Sequence, residues 1–448
     1  MNRDLVLVRR GTYYDSVTLM RISRALTEMP GVSAAMVAMA TDLNLSVIRD
    51  LGFPAPEAGP GDLLIALRAA APESAVAEAD RLLSTFQQPR EPAGQPPLTT
   101  RSAIRSAVPP PDLVLVSVPG EHAFAEAQDA VQAGLPVMIF SDGVPLEQER
   151  RLKELAEAKD VLVMGPDCGT AAIGGVGLGF ANVLAPGPVG VVAASGTGAQ
   201  QVTCLLDWAG TGVSHILGVG GRDLSAEVGG LSTLRALRML DDDPATELIV
   251  LISKPPAPEV ARAVQEVGLR TRMVRALLRE GAPDLTEATE QALGALRRPV
   301  PEWPAWPAWS GRRARHKAIK GIYSGGTLST EAALVAGQGD FVDYGDDAYT
   351  RGRAHPMIDP TLRVEALSRA DETDVVLMDV VLGHGADPDP AASLAHAVAR
   401  TPATVVIALI GTEGDPQDLH RQAAAFREAG AAVFTSNAQA ARHARSLL

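Results

Sequence analysis

The sequence has few aromatic residues, only two cysteines and a deficit of positive charge. Aromatic residues make up 4% of the 448 residues, so we expect cores built from Ala, Val, Leu and Ile. Cys168 and Cys204 are too few for a disulfide framework and fit a reducing compartment. The net charge of −13 argues against electrostatic binding of nucleic acid.

Long apolar runs are also missing. No uninterrupted apolar stretch reaches the length of a membrane span, and the first residues, MNRDLVLVRRGTYYDS, contain no signal-peptide core. We therefore expect a cytoplasmic protein with no membrane partner. A hydrophobic fraction of 46% and a charged fraction of 21% are typical of globular proteins, and the length predicts more than one domain.

Apolar strand candidates alternate with helix candidates along most of the chain, which predicts the α/β class with parallel sheets. Two proline-rich stretches, QQPREPAGQPPLTTRSAIRSAVPPP and RRPVPEWPAWPAWSGRRARH, are typical of linkers. The predicted organisation is a small α/β domain (1–88), a linker (89–111), two α/β units (112–187 and 188–296), a second linker (297–315) and a last α/β domain (316–448).

The segment GPVGVVAASGTGAQQVTCLLDW predicts a strand, a turn of small residues and a helix. Ser195, Gly196, Thr197 and Gly198 stand at the start of that helix. Its first backbone amides have no partner within the helix and carry the positive end of the helix dipole, so they favour a phosphate or carboxylate. The alternative is that Ser195 only caps the helix.

Polar residues follow two further strand candidates, and parallel α/β sheets place ligands at the carboxyl ends of their strands. After VSHILGVGG, Arg222 is a candidate to clamp an oxyanion beside Gly220 and Gly221, with Asp223 orienting it. After TELIVLIS, Lys254 is a candidate to stabilise charge on a transferred phosphate. The alternatives are a surface ion pair and a solvated strand end.

Two more loops carry candidate residues. The turn Ser324, Gly325, Gly326, Thr327 precedes the helix candidate LSTEAALVA and predicts another anion-binding turn. In TRGRAHPMIDP, a cluster suits either an oxyacid or a subunit contact: Arg351, Arg353, His355 and Asp359. Cys168 in GPDCG has no evident base beside it, so we expect a structural role, with Asp167 and Asn182 shaping that loop. We assign no metal ligands.

Many of these segments together resemble the FdrA family, which is acyl-CoA synthetase-like. The resemblance runs from Thr12 to about Leu447 through TYYDSVTLM, VAMAT, GPDCGTA, SGTG, VSHILGVGGRDLS, SKPP, YSGGTLSTEA and RAHPMIDP. A more remote resemblance is to succinyl-CoA synthetase, with residues 112–255 similar to its α subunit and 316–448 to the ligase domain of its β subunit. It implies several Rossmann- or flavodoxin-like parallel-sheet domains of the synthetase type.

The synthetase resemblance also implies two Gly-rich helix starts that converge on a phosphate. We assign them to Ser195–Gly198 and to the loop Gly383, His384, Gly385, with His384 as a general acid or base or a hydrogen-bond donor. No ATP-grasp domain like that of the synthetase fits in this chain, and residues 1–111 lack its Gly-rich CoA-binding turn. Its late phosphohistidine also has no counterpart, since residues 254–296 contain no histidine.

The family resemblance implies a subunit of a complex that transfers carbamoyl or acyl groups. The FdrA family is linked to exchange between carbamoyl phosphate and oxamate with partner subunits in allantoin catabolism. An acyl phosphate is then the substrate, no cofactor is bound covalently, and CoA remains possible although its motif is absent. Two alternatives stay open: an ADP-forming acyl-CoA ligase whose ATP-grasp domain is on another chain, and a non-catalytic scaffold that binds anions. A homo- or hetero-oligomer is expected in each case.

Overall fold

Four β-sheets organise the part of the chain that the computed structural model describes, which comprises residues 2–12, 14, 16–86, 99–306, 317–350 and 353–448. We call residues 2–86 the N-terminal domain, 99–304 the middle lobe, and 305–306 together with 317–448 the C-terminal lobe. The mixed α/β architecture with parallel sheets confirms the predicted fold class. No helix in the described residues combines the length and the apolar character that crossing a membrane requires.

The N-terminal domain has the predicted alternation of strands and helices, but its sheet is antiparallel, in the order β1-β3-β2. Strand β3 is buried at every position except Arg68, which explains why the pattern alone did not separate parallel from antiparallel pairing. Its elements are β1 (Arg3–Arg9), α1 (Ser16–Thr27), β2 (Val32–Met39), α2 (Asp42–Asp50), β3 (Leu63–Ala69) and α3 (Pro72–Phe86).

A helix, α4 (Thr100–Ser106), lies within the stretch predicted to be the first linker. Thr99 and Ser102 form a capping box at its start, which a reading based on proline content does not detect. A three-stranded parallel sheet follows. Its elements are β4 (Val114–Val116), α5 (Gly120–Gln132), β5 (Val137–Ile139), α6 (Leu146–Lys159) and β6 (Val163–Met164).

The second sheet of the middle lobe has the order β12-β11-β9-β10-β7-β8. Its first four strands are parallel, while β7 and β8 form an antiparallel hairpin at one edge, so this sheet crosses the predicted boundary at residue 187. Its elements are β7 (Thr170–Ile173), β8 (Val176–Gly179), β9 (Pro186–Ala193), α7 (Gly196–Trp208), β10 (Val213–Gly218), α8 (Leu231–Asp242), β11 (Leu248–Ser253), α9 (Pro258–Glu266), β12 (Arg272–Leu277) and α10 (Leu285–Ala295).

The C-terminal lobe is built on a sheet of order β13-β18-β17-β16-β14-β15. It is parallel except for β13, which comes from the stretch predicted to be the second linker and pairs antiparallel with β18. Its elements are β13 (Ala305–Trp306), β14 (Ala318–Tyr323), α11 (Gly326–Ala336), β15 (Asp340–Asp343), α12 (Asp347–Thr350), α13 (Thr361–Ser368), β16 (Asp374–Val381), α14 (Pro390–Arg400), β17 (Thr404–Ile410), α15 (Leu419–Glu428), β18 (Ala432–Phe434) and α16 (Asn437–Ser446).

Polar groups are buried where the middle and C-terminal lobes meet. Glu331 on α11 accepts hydrogen bonds from the backbone amide of Leu285 at 2.6 Å and from Asn437 Nδ2 at 2.7 Å. Gln201 on α7 donates to the carbonyl of Thr435 and accepts from the amide of Asn437. One apolar cluster, which includes Val202 and Leu328, also runs through both lobes. The two lobes are therefore fixed against each other through α7, α10, α11 and α16.

Candidate anion-binding site

The first turn of α7 follows directly from a buried strand. Strand β9 is apolar and fully buried from Val189 onward, and the chain then turns through Ala194 and Ser195 into the helix. Ser195 Oγ accepts the backbone amide of Gly198 at 3.0 Å. This capping bond uses the third amide of the helix and leaves the amides of Gly196 and Thr197 without an intrahelical acceptor.

The start of α11 is built differently. Gly325 is its N-cap residue, and no side chain in the described chain caps this helix. The turn is held from below by the buried carboxylate of Asp379, whose Oδ1 accepts the amide of Ser324 at 2.8 Å and its Oγ at 3.0 Å. Because the first turn has no side-chain cap, its amides are available to an external acceptor.

The two helix starts face each other. A Cβ on Gly325 would lie 2.5 Å from Thr197 Oγ1, and a Cβ on Gly198 would lie 3.0 Å from Thr327 Cγ2. Thr170 on β7 also lies close to this turn, since its Oγ1 would lie 3.0 Å from a Cβ on Gly196. Backbone amides and hydroxyl groups from two lobes therefore converge in one place, where two helix dipoles favour an anion.

Lys254 belongs to this site. Its Nζ would lie 3.9 Å from a Cβ on Gly326, so the lysine of the middle lobe reaches the helix start of the C-terminal lobe. Lys254 is exposed to solvent. This placement is compatible with the predicted role of stabilising charge on a phosphate, which stays a prediction.

The predicted partner of the α7 turn is wrong. Gly383, His384 and Gly385 do not start a helix, because α14 begins only at Pro390 with Asp389 as its cap. Gly383 and Gly385 have φ angles of 111° and 87°, and the backbone of His384 pairs with Ala181 at 2.7 and 3.1 Å. The exposed His384 side chain therefore belongs to a loop that braces Ala181, and its chemical role stays a prediction.

Asp223 has a different task from the predicted one. Its Oδ1 accepts Lys153 Nζ at 2.8 Å and the amide of Ser232 at 3.1 Å, and its Oδ2 accepts the amide and the hydroxyl of Thr233. Asp223 thus caps the start of α8 and neutralises a buried lysine. It does not orient Arg222, which instead pairs with Glu149 at 2.8 Å and donates to the carbonyl of Val144.

Gly220 allows a close backbone approach beside the site, whereas Gly221 has room for a side-chain carbon. A Cβ on Gly220 would meet the carbonyl oxygen of Pro166, and one on Gly221 would lie 3.9 Å from that of Ala194. Arg353 is exposed, and Arg351 lies outside the described residues. Arg222 bonds to Glu149 and to the carbonyl of Val144, away from the facing helix starts. The binding roles of Arg222 and Arg353 stay predictions.

His355 lies beside the α11 turn. Its Nδ1 accepts the amide of Met357 at 3.2 Å, and its Nε2 would lie 2.8 Å from a Cβ on Gly345. Burial, together with the charge of Arg363, lowers the pKa of His355 to about 4. The ring is therefore neutral at physiological pH, and the Nδ1 contact assigns its proton to Nε2.

The sequence analysis did not name Asp343 and gave Asp167 only a loop-shaping role, yet the pKa values of both carboxyl groups are raised. Asp343 ends β15 beside Gly326. Burial and the nearby Asp379 raise its pKa to about 6, although the hydrogen bond from the amide of Gly345 and the charge of Lys254 act to lower it. Asp167 has a left-handed φ of 56°. The residue is exposed, yet protein surrounds its carboxyl group closely enough that burial, then Asp142 and Asp347, raises its pKa to about 7.

The position of Asp343 at the carboxyl end of a strand is the signal that would have found it. Cys168, in contrast, agrees with its predicted structural role. Burial raises the pKa of its thiol to about 12, so a thiolate is not available at neutral pH.

Comparison with known proteins identifies the family of this chain. Over 511 aligned positions it is 36% identical to YahF of Escherichia coli K12, covering 99% of this chain and 98% of YahF. The chain belongs to the FdrA family. Residues 322–447 match the CoA-ligase family, which supports ligase-type enzymatic activity, and residues 1–97 match a family described as AllF, heavy metal-associated domain.

More remote relatives cover parts of this FdrA-family chain. It is 28% identical over 144 residues to the ADP-forming succinate–CoA ligase subunit alpha 2 of Archaeoglobus fulgidus, covering 31% of this chain and 49% of that subunit. The solved dinucleotide-forming acetyl-coenzyme A synthetase 1 of Ca. Korarchaeum cryptofilum is 16% identical, with a TM-score of 0.31 over 75% of this chain and 82% of that one. A similarity at this level does not bear on activity.

A heavy metal does not fit the stretch whose family description mentions one. Residues 1–97 contain neither cysteine nor histidine. Thiolate and imidazole are the ligands that soft and borderline metals prefer in proteins. The described residues also contain no group of three or more His, Cys, Asp or Glu side chains placed to hold a metal ion.

Proposed function

We propose that this chain is a subunit of an acyl-CoA synthetase-like complex, and that it holds the phosphate of an acyl phosphate between the starts of α7 and α11. The observation that carries the proposal is the contact between Thr197 and Gly325, which brings the first turns of two helices from two lobes together, each with free backbone amides. Amides fixed in advance at such a place stabilise a phosphate without reorganisation.

The chemistry that suits this site is attack on an activated carbonyl. A nucleophile, such as the nitrogen of an amide, bonds to the carbonyl carbon of the acyl phosphate, and the bond from that carbon to the phosphate oxygen breaks. The electron pair leaves with the phosphate, where the helix amides and Lys254 stabilise it. The proton of the nucleophile passes to a base or to water.

Carbamoyl phosphate is the donor that the FdrA assignment favours, with oxamate as its partner and further subunits completing the complex. The relatives with CoA-ligase names are subunits, which supports a hetero-oligomer. A reducing cytoplasm as the location agrees with two cysteines that are both free and buried. Donor, acceptor, partners and location all belong to this proposal.

A specific observation favours a second candidate, an ADP-forming acyl-CoA ligase whose nucleotide domain is on another chain. The match of residues 322–447 to the CoA-ligase family and the likeness to a succinate–CoA ligase subunit both point to it. In this case the same two helix starts would hold phosphate that arrives from a nucleotide. A scaffold that binds anions without turnover is the remaining alternative.

Reconstitution with candidate partner subunits separates these functions. We expect phosphate release from carbamoyl phosphate that depends on oxamate. ATP consumption that depends on CoA and a small carboxylic acid, without use of carbamoyl phosphate, would replace the transferase by the ligase. Anion binding without turnover in every reconstituted complex would leave the scaffold.

A further inference from the structure

The carboxyl group of Asp343 occupies a place where an anion site does not ordinarily tolerate one. Asp343 is the last residue of β15, and its Oδ2 lies against Gly326, the first residue of α11. Its Oδ1 accepts the backbone amide of Gly345 at 2.9 Å, which fixes the side chain. An ionised carboxylate here would repel a phosphate bound at the first turn of α11.

Charged and titratable groups face Asp343 from every element packed around it. Lys254 approaches from the loop after β11, and its charge favours the ionised form. Asp379 on β16 and Asp346 in the following loop favour the protonated form, as does burial, which is the largest cause. His355 also faces it but is neutral near physiological pH because its own pKa is about 4.

An unpaired donor beside Asp343 points to a ligand. Asp343 Oδ1 and His355 Nε2 lie within 3.1 and 2.8 Å of the same point, the Cβ position of Gly345. Nδ1 of this largely buried ring already accepts the amide of Met357, so Nε2 carries the proton. Nε2 has no hydrogen-bond partner among the residues that the structure describes, which leaves it free to donate to an oxyanion.

We propose that Asp343 binds the anion in its protonated form, donating its hydroxyl hydrogen to an oxygen of the phosphate held by α7 and α11. This inference rests on the proposed function. The proton stays on Asp343, so no covalent bond forms or breaks. Lys254 then faces the bound anion instead of a carboxylate, and His355 Nε2 supplies a further neutral donor.

Proton uptake is the consequence of this arrangement. The pKa of Asp343 in the free protein is about 6. Below that pH the carboxyl group already carries its proton. Above it, each anion that binds must bring one proton with it, so the affinity falls by up to about tenfold for each further pH unit.

Sulfate is the probe that tests the coupling, because it stays a dianion across this range while phosphate itself titrates. Sulfate binding to the full chain should be measured by calorimetry at about pH 5.5 and about pH 8, in buffers of different ionisation enthalpy. For the wild type we expect affinity to fall by about tenfold or more between the two pH values, with uptake of about one proton at the higher pH. D343N, which keeps the acceptor for Gly345, should bind sulfate equally at both pH values without proton uptake.

D340N is the matched control, because Asp340 is an exposed carboxylate at the opposite end of β15 and should keep the wild-type pH dependence. Equal sulfate affinity of the wild type at both pH values, or proton uptake that persists in D343N, overturns the role of Asp343. Failure of the wild type to bind sulfate, phosphate or carbamoyl phosphate at any pH overturns the anion site itself, and with it this inference. A thermal melt of D343N close to that of the wild type shows that the variant is folded.

Discussion

The side chain of Thr197 fills the space opposite Gly325, so the first turns of α7 and α11 meet with no room for a further carbon atom. A Cβ on Gly325 would lie 2.5 Å from Thr197 Oγ1 and 2.7 Å from both its Cβ and its Cγ2. Glycine is required here by close approach between two helices of different lobes, and not by its backbone angles. The distance between the two sets of amides thus depends on one missing methyl group.

Substituting Gly325 by alanine should therefore separate the two helix starts. We expect G325A to weaken phosphate or sulfate binding by about tenfold or more, because the amides of only one helix would then reach the anion. Calorimetric titration with either ion measures the loss. G294A is the matched control, since Gly294 lies in α10 and a Cβ there would meet nothing within 4 Å. Equal affinities of G325A and G294A would show that the convergence of α7 and α11 does not hold the anion.

The local part of this site was predictable, while its assembly was not. An apolar strand followed by SGTG or SGGT predicts a helix start, and both helices begin there. The wrong assignment fell on Gly383–Gly385, where GHGADPDP also begins after a strand. The local rules did contain the correction: Asp389 followed by Pro390 is a preferred cap and first residue, and α14 begins at Pro390.

Which loops meet is a property of packing between lobes, and no local pattern encodes it. The facing of Thr197 and Gly325 depends on buried contacts far apart in sequence, such as Gln201 with Asn437. The same holds for Asp223, because its partner Lys153 lies on α6, which connects two strands of the three-stranded sheet β4-β5-β6. Spacing along the chain suggested Arg222 as its partner because the two are adjacent, yet adjacent side chains after a strand point in different directions.

A second prediction concerns that corrected role of Asp223. Lys153, Glu149 and Asp223 are all buried, with the lysine 2.8 Å from both carboxylates. D223N should destabilise the protein by about 3 kcal/mol, because it leaves the buried charges incompletely paired. R222A should cost less, about 1 kcal/mol, since Glu149 keeps Lys153 and the arginine side chain is half exposed. Thermal melts compare the two, and a larger loss in R222A would mean that Arg222, and not Asp223, contributes most to this network.

A third prediction follows from Glu331 between the lobes. Burial and the nearby Asp284 raise the pKa of Glu331 from 4.5 to about 8, against the two hydrogen bonds that it accepts. The folded chain therefore binds this proton more tightly than the unfolded chain. The stabilising contribution is complete below about pH 4.5 and falls as the pH rises through 8, by about 5 kcal/mol in total.

The E331Q variant isolates this group, because its side chain does not titrate. We expect the stability of the wild type to fall relative to E331Q as the pH is raised from about 5 to about 8.5. Apparent melting temperatures at several pH values measure the difference. E428Q, at an exposed position on α15, should follow the wild type at each pH. Parallel pH profiles of the wild type and E331Q would mean that Glu331 does not hold its proton in the folded chain.

The last prediction concerns how the N-terminal domain is attached. Arg24 on α1 reaches the C-terminal lobe, where its Nη1 lies 2.8 Å from Asp387 Oδ2 and its guanidinium also contacts Ser393 and the carbonyl of Ile358. The side chains of Arg24 and Asp387 are only 17% and 7% exposed. Removing one partner of so buried a pair costs about 3 kcal/mol, because the other charge remains without compensation.

R24A should therefore loosen the contact between the N-terminal domain and the C-terminal lobe. It should not unfold the domain, because the core of the domain is formed by other residues of α1, including Leu19, Ile22 and Leu26. We expect faster hydrogen–deuterium exchange in α1 and in residues 387–393. R49A, at an exposed position on α2 of the same domain, should exchange as the wild type does. Since Ile358 follows His355 by one turn and its amide donates to the carbonyl of His355 at 2.7 Å, R24A should also change exchange in the loop that holds His355. Unchanged exchange in that loop, together with faster exchange in α1, would confine the role of Arg24 to attachment.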